Sequence, residues 1–224
     1  ILSAKVKRCM NRCRVRSIGY PESRWLDTLD TAYDSSRYNN DKGYSRRRWD
    51  VAAAQNALGQ LLEAGSAADG ARPAPAAALI WYRRAAKGGH SGALFRLGDA
   101  YRSGRGVPRD GAQAIRLFRK CADFGNEQGY FALGVCYERG DGVTRDFPTA
   151  VTWYEQSANA GYAPAQNNLG GCYERGVGVT RDMLAAVEWY TRAAASDQPH
   201  AICRLGICYE NGRGVAQSAE RAFS

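Results

Sequence analysis

The chain has 224 residues, of which 45% are hydrophobic and 11% aromatic, enough apolar surface to build a core and to exclude wholesale disorder. It contains no run of about 18 apolar residues, so no membrane-spanning helix is predicted. The net charge of +9 is concentrated at one end: residues 1–20 carry six Lys or Arg and no acid, residues 21–50 six of each sign, and residues 51–224 19 basic against 16 acidic side chains.

Residues 1–50 read as an arm, extended or partly helical, outside any repeat. It mixes basic residues with Tyr20, Trp25, Tyr33, Tyr38, Tyr44 and Trp49. Its candidate contact residues are Arg8, Arg12, Arg14, Arg16, Trp25, Arg46, Arg47, Arg48 and Trp49. Basic side chains neutralise phosphates and aromatic rings stack on unpaired bases, which suits RNA. The other reading is an extension that lies along a neighbouring protein with Trp and Tyr as anchors. The segment 26–41 (LDTLDTAYDSSRYNND) is acidic to neutral and favours the protein reading. Cys9 and Cys13 form a C-x3-C, half of a zinc site with no second half nearby, so no metal is predicted. An Arg-rich, acid-free start fits the tail of an organellar transit peptide and a mature basic arm equally well.

Beyond residue 50 the chain repeats itself. ALFRLGDAYRSGRGVPRD, GYFALGVCYERGDGVTRD, AQNNLGGCYERGVGVTRD and AICRLGICYENGRGVAQS start at Ala93, Gly129, Ala165 and Ala201, 36 residues apart each time. A weaker copy, NALGQLLEAG (Asn56 to Gly65), precedes them. A Pro/Ala/Gly stretch with three extra residues separates its two halves. The units run over about 54–92 (degenerate), 93–128, 129–164, 165–200 and 201–224 (truncated).

Each unit predicts two helices. In the first, a small residue, Leu and Tyr recur every four positions (93, 97, 101), one stripe of a helix. The Gly after the Leu (Gly98, Gly134, Gly170, Gly206) costs about 1 kcal/mol against Ala in mid-helix, so a close approach by the partner helix is expected there. G-x-G-V stops the helix. Asp110, Asp146 and Asp182 then stand where an N-cap belongs, and the second helix buries Ala114, Leu117, Phe118, Cys121 and their equivalents. One pair cannot cover both of its apolar faces, whereas stacked pairs share a continuous core.

Cys136, Cys172 and Cys208 share a column with Ala100, and Cys121 shares one with Ala85, Ser157 and Ala193. These are packing positions, so the thiols read as buried and reduced, in an intracellular, reducing compartment, with the mitochondrion as first candidate. His90 and His200 sit at unit junctions without a nucleophile or carboxylate at motif spacing. No nucleophile elbow, phosphate loop or metal-ligand cluster is found, so no enzyme, cofactor or small-molecule substrate is predicted.

The pattern A-x3-LG-x2-Y-x2-G-x-GV-x2-D-x3-A-x2-WY-x2-AA-x2-G, clearest in Ala165 to Ala194, resembles the Sel1-like repeat, a relative of the tetratricopeptide repeat. The resemblance covers about residues 54–224. It implies an all-α, right-handed α-solenoid of 36-residue helix pairs, here with a non-repeat N-terminal arm, and an adaptor or assembly role. Cysteine-rich members of the family pair a Cys ending one unit with a Cys about eight residues on, but Gly129 stands at that place after Cys121. Ser218 and Asp197 replace the usual Asp and Gly, and Leu62 replaces the Tyr, as in capping units.

By analogy with the tetratricopeptide fold, the first helices line a concave face of Phe95, Asp99, Arg102, Phe131, Val135, Glu138, Asn167, Gly171, Glu174, Cys203, Ile207 and Glu210. That face, with aromatics at one end and stacked glutamates at the other, suits an amphipathic peptide or helix carrying basic residues. The alternative is that some of these residues pack against the chain's own arm. The expected function is a non-catalytic scaffold in a larger assembly. The competing reading is an RNA-associated subunit that contacts RNA through the arm.

Overall fold

The computed structural model describes residues 46–65 and 73–222. The described residues are helical, with ten helices and no strand. Two compact units divide the chain at residues 93 and 94, inside the third helix.

The first unit holds α1 (Arg46–Ala64) and α2 (Pro75–Lys87). α2 opens on a proline, whose fixed φ and missing N–H suit the first helical position. The two helices bury Ala52, Ala57, Leu58 and Leu62 with Ala78, Leu79, Trp81 and Tyr82. Arg46, Arg47, Arg48 and Trp49 stand in the first turns of α1, while Arg8, Arg12, Arg14, Arg16 and Trp25 lie outside the described residues.

The second unit continues α3 (Ser91–Ser103) and adds α4 (Gly111–Asp123), α5 (Glu127–Arg139), α6 (Phe147–Asn159), α7 (Ala163–Arg175), α8 (Met183–Ala194), α9 (Pro199–Asn211) and the short α10 (Ala219–Ala222). The predicted caps form. Asp110 accepts from the Gln113 N–H at 2.9 Å, Asp146 from Thr149 at 3.3 Å, and Asp182 from Leu184 and Ala185 at 2.9 and 3.1 Å. Each such cap stabilises its helix by about 1 kcal/mol.

The G-x-G turn has a second use that the sequence pattern alone does not disclose. In Gly176–Gly178 both glycines take positive φ, 69° and 75°, a region costly for other L-residues. A Cβ on Gly178 would also stand 2.5 Å from the carbonyl oxygen of Phe147, the first residue of α6. Gly214 meets Met183 of α8 in the same way, and Gly142 meets the backbone of Gly111 of α4. The turn therefore lets successive pairs stack backbone on backbone.

The core follows the stacking. Ala114, Ile115, Phe118 and Ala122 of α4 share one cluster with Ala132, Leu133 and Cys136 of α5. α6 and α7 build the next cluster and α8 and α9 the third. Each cluster joins the second helix of one pair to the first helix of the next, which is why a single pair has no complete core. The expectation for Leu117 needs correcting: it is half-buried, as are Trp153 and Trp189. The next residue is the deep one, with Phe118, Tyr154 and Tyr190 each 0% exposed.

Thiols occupy packing positions. Cys121, Cys136, Cys172 and Cys208 are buried thiols outside any disulfide, while Cys203 is exposed, against the expectation that the cysteines are buried. Burial pushes the Cys121 and Cys136 thiols up to about 12 and that of Cys172 to about 11, so at neutral pH they are inert as nucleophiles.

In the first unit, His90 Nδ1 accepts the Ala93 N–H at 3.2 Å and so caps the start of α3, as Asn126 caps α5. Burial lowers the His90 pKa from the ordinary 6.5 to about 4. Between those values the unfolded chain holds more protons at this position than the folded one. This residue's contribution is thus complete above about pH 6.5 and is lost as the pH falls toward 4. Urea denaturation across this range should show the loss, and His90→Asn, which keeps a capping side chain but cannot titrate, should flatten it. Identical pH profiles for the two proteins would refute the assignment.

Candidate protein-binding surface

The surface formed by the first helices of the pairs is organised by what lies beneath it. In α5 a Cβ on Gly134 would stand 2.5 Å from the Tyr154 ring, and in α7 a Cβ on Gly170 would stand 2.6 Å from the Tyr190 ring. Phe118 covers Gly98 at 2.5 Å, and Tyr82 covers Gly59 within the first unit. The mid-helix glycine is explained by a ring packed where its side chain would stand. The expected close approach of the partner helix is made by this ring.

Each tyrosine then reaches a carboxylate one turn further along the first helix. Tyr154 donates to Glu138 Oε2 at 2.6 Å, Tyr190 to Glu174 at 2.7 Å and, in the first unit, Tyr82 to Glu63 at 2.7 Å. Burial first, and the carboxylate second, raise the pKa of Tyr154 and Tyr190, so both hydroxyls stay protonated donors. The next pair reaches over each latch within the second unit: Asn168 acts on the Tyr154 hydroxyl against the rise in its pKa, and Arg204 of α9 donates to Glu174 at 2.8 Å.

One pair breaks the rule in both places at once. Phe118 has no hydroxyl, and the residue at the carboxylate position is Arg102. Arg102 pairs instead with Asp99 at 2.5 Å and lies 3.9 Å from Asp141 of the next pair. Arg105 adds a bond to Asp99 at 2.6 Å and Arg109 one to Asp141 at 2.7 Å. This ionic cluster stands where the other pairs have a tyrosine latch. The signal lay in the sequence, because the lone Phe among Tyr82, Phe118, Tyr154 and Tyr190 aligns with the lone Arg among Glu63, Arg102, Glu138 and Glu174.

The expected concave residues therefore differ in how far they are free to meet a ligand. Phe95 packs on Phe118 with ring centroids 6.1 Å apart, and Phe131 packs on Tyr154 and Tyr162 at 5.8 and 5.3 Å. Val135 is packed against the core of α6 and α7. Two of the three stacked glutamates are hydrogen-bonded to tyrosines. Asn167 has a buried Oδ1 that lacks a hydrogen-bond partner. Gly171 is buried. At α9 the surface opens: Cys203 and Glu210 are exposed, and Ile202 and Ile207 are 46% and 47% exposed. Ile202 was not among the expected residues, because its column holds Leu94, Tyr130 and Gln166 and so reads as core.

Among the described residues no cluster of three or more His, Cys, Asp or Glu could hold a metal ion, and no helix is long and apolar enough to cross a membrane.

Helix pairs stacked through glycine turns, four of them with an aromatic ring lying on a mid-helix glycine, define an α-helical repeat protein of the solenoid class. The Sel1 repeat model matches at residues 52–90, 91–126, 128–162, 163–197 and 199–224, and the chain belongs to the Sel1 repeat family. A Sel1 repeat protein from Oxalobacter formigenes is similar at 27% identity and a TM-score of 0.68, over 88% of this chain and 79% of that one. The c5321 protective antigen of uropathogenic Escherichia coli, which displays an SLR fold, is similar at 28% identity and a TM-score of 0.70, over 98% of this chain. The match spans 47% of that longer antigen. The immunity protein Pa5087 of Pseudomonas aeruginosa shares the fold, at 18% identity and a TM-score of 0.54 over 92% of this chain and 78% of that one. No curated protein matches the chain. Sel1 repeat proteins generally mediate protein–protein interaction.

The latch rule is open to a double-mutant cycle. Arg102→Glu alone sets a third carboxylate beside Asp99 and Asp141 and should destabilise the second unit. Phe118→Tyr alone supplies a hydroxyl without its acceptor. Together they rebuild the latch, and the coupling between them should be favourable by about 1 kcal/mol or more in chemical denaturation. Additive effects would mean that the two positions do not communicate.

Proposed function

We propose that this chain is a non-catalytic scaffold, an accessory subunit of a larger multiprotein assembly that binds partner proteins through its repeat surface and its N-terminal arm. The observation that carries this reading is the run of five Sel1 repeats over residues 52–224, in a family whose members generally mediate protein–protein interaction. Four buried thiols outside any disulfide support a reducing compartment as the setting.

The test is crosslinking and affinity purification of the tagged chain from its own cells, divided into nuclease-treated and untreated halves. A scaffold keeps the same protein partners through nuclease and high salt, with crosslinks on the repeat surface. Loss of the partners together with RNA would replace the scaffold with an RNA-associated subunit held by its arm, whose salt dependence would be steep.

A further inference from the structure

The second helices of the pairs turn one side to solvent, and in α4 that side carries three cations. Arg116, Arg119 and Lys120 are all exposed, at the i, i+3 and i+4 spacing that makes side chains neighbours on a helix. Arg119 donates to the Tyr137 hydroxyl at 3.0 Å. Among the described residues no carboxylate pairs with Arg116 or Lys120, although Arg102, Arg105, Arg109 and Arg204 each have one. The acid on this side of α4, Asp123, stands at its far end. Like charges one turn apart repel, and the packing of α4 does not call for them, because its buried positions are Ala114, Ile115, Phe118, Cys121 and Ala122. The positive charge does not continue along the second unit. The corresponding residues are Thr152, Glu155 and Gln156 in α6, and Glu188, Thr191 and Arg192 in α8. In the first unit α2 has a basic side of its own, with Arg83, Arg84 and Lys87 exposed.

Resting on the protein-binding reading above, we propose that the face of α4 formed by Arg116, Arg119 and Lys120 is a docking surface for an acidic helix of a partner protein. Charge complementarity asks for carboxylates, which a guanidinium can bind through two parallel hydrogen bonds. The three cations lie within about 6 Å along the helix axis, at 1.5 Å per residue. A partner helix with Asp or Glu at i and i+4 presents its charges at the same spacing. Leu117, half-buried beside the cations, gives the apolar flank of such a helix a place to rest. A nucleic-acid strand fits less well. Its phosphates need cations along a track, and in the second unit Glu155 and Glu188 stand where that track would go on. Its bases need free aromatic faces, and the Trp189 ring is covered by Arg192 at 4.5 Å.

The probes are two fluorescent alanine-based helical peptides of equal composition, titrated by anisotropy into the full chain at about 0.15 M salt. One carries its glutamates at i and i+4 on a single face, and in the other they are spread around the helix. The ordered peptide should bind saturably, and the spread one about tenfold more weakly. Arg116→Glu with Lys120→Glu should weaken the ordered peptide by about tenfold or more. Arg116→Gln with Lys120→Gln should give a smaller loss, and both variants should unfold at the temperature of the unaltered chain. Two further double reversals remove the same charge elsewhere, Arg12→Glu with Arg14→Glu in the arm and Arg83→Glu with Lys87→Glu in α2. Each should leave binding within about twofold, since distant charges are screened at this salt. Equal binding of the two peptides, or an equal loss in either control, would overturn the proposal, because attraction would then follow net charge and not this face. No saturable binding of the ordered peptide would overturn it as well. So would tighter binding of a labelled oligouridine that the α4 reversal abolishes, which would assign the face to RNA. The scaffold reading fails independently, when no protein partner survives nuclease in the purification from cells, whatever the peptides do.

Discussion

Four of the described helix pairs depend on the absence of one carbon atom. A ring of phenol size can lie against a helix only where no Cβ stands in its way, and Gly98, Gly134 and Gly170 provide that place for Phe118, Tyr154 and Tyr190. Glycine inside a helix costs about 1 kcal/mol relative to alanine. Burying an aromatic side chain completely offsets that with about 1.5–3 kcal/mol, and where the ring carries a hydroxyl a charge-assisted hydrogen bond is added. With the ring seated, the spacing of the two helices is set, and the cores between successive pairs are assembled on that spacing.

The second constraint acts between pairs. Gly142, Gly178 and Gly214 bring the turn of one pair onto the first residue of the preceding pair's second helix. Side chains of the following pair then close over the latch, Asn168 at Tyr154 and Arg204 at Glu174. Between α3/α4 and α5/α6 the polar part of this arrangement is ionic, built from Asp99, Arg102, Arg105, Arg109 and Asp141. Its members are partly exposed, so it is screened by salt more than the hydrogen bonds donated by the buried tyrosines. The coupled Tyr-to-Phe and Glu-to-Arg differences thus change the kind of force at a joint without changing the fold.

Much of this was legible in the sequence. The 36-residue period, the helix pair, the Asp caps at Asp110, Asp146 and Asp182 and the αL glycines follow from local chemistry that each position carries by itself. The depth of the Tyr154 column, as against the Trp153 column, was not legible, because two adjacent aromatics on a helix differ only in the direction they face. The fate of the concave candidates was hidden for a related reason. Glu138 and Glu174 read as ligand-facing charges until the tyrosine hydroxyls beneath them are located, and that contact joins residues 16 apart in sequence. The openness of Ile202 and Ile207 depends on what covers α9, a property of neighbouring elements that the residues themselves do not carry.

Two adjacent glycines in α7 allow the central claim to be tested with its own control. Gly170→Ala sets a methyl 2.6 Å from the Tyr190 ring, whereas at Gly171 the nearest atom to an added Cβ is the Tyr190 hydroxyl at 3.6 Å, an ordinary contact. Both positions are helical. Chemical denaturation of the two single variants should show Gly170→Ala destabilised by about 1–3 kcal/mol, the usual cost of overpacking. Gly171→Ala should be stabilised by up to about 1 kcal/mol through helix propensity. If alanine is equally well tolerated at both, the glycine is not there to make room for the ring, and the account of the helix pair fails.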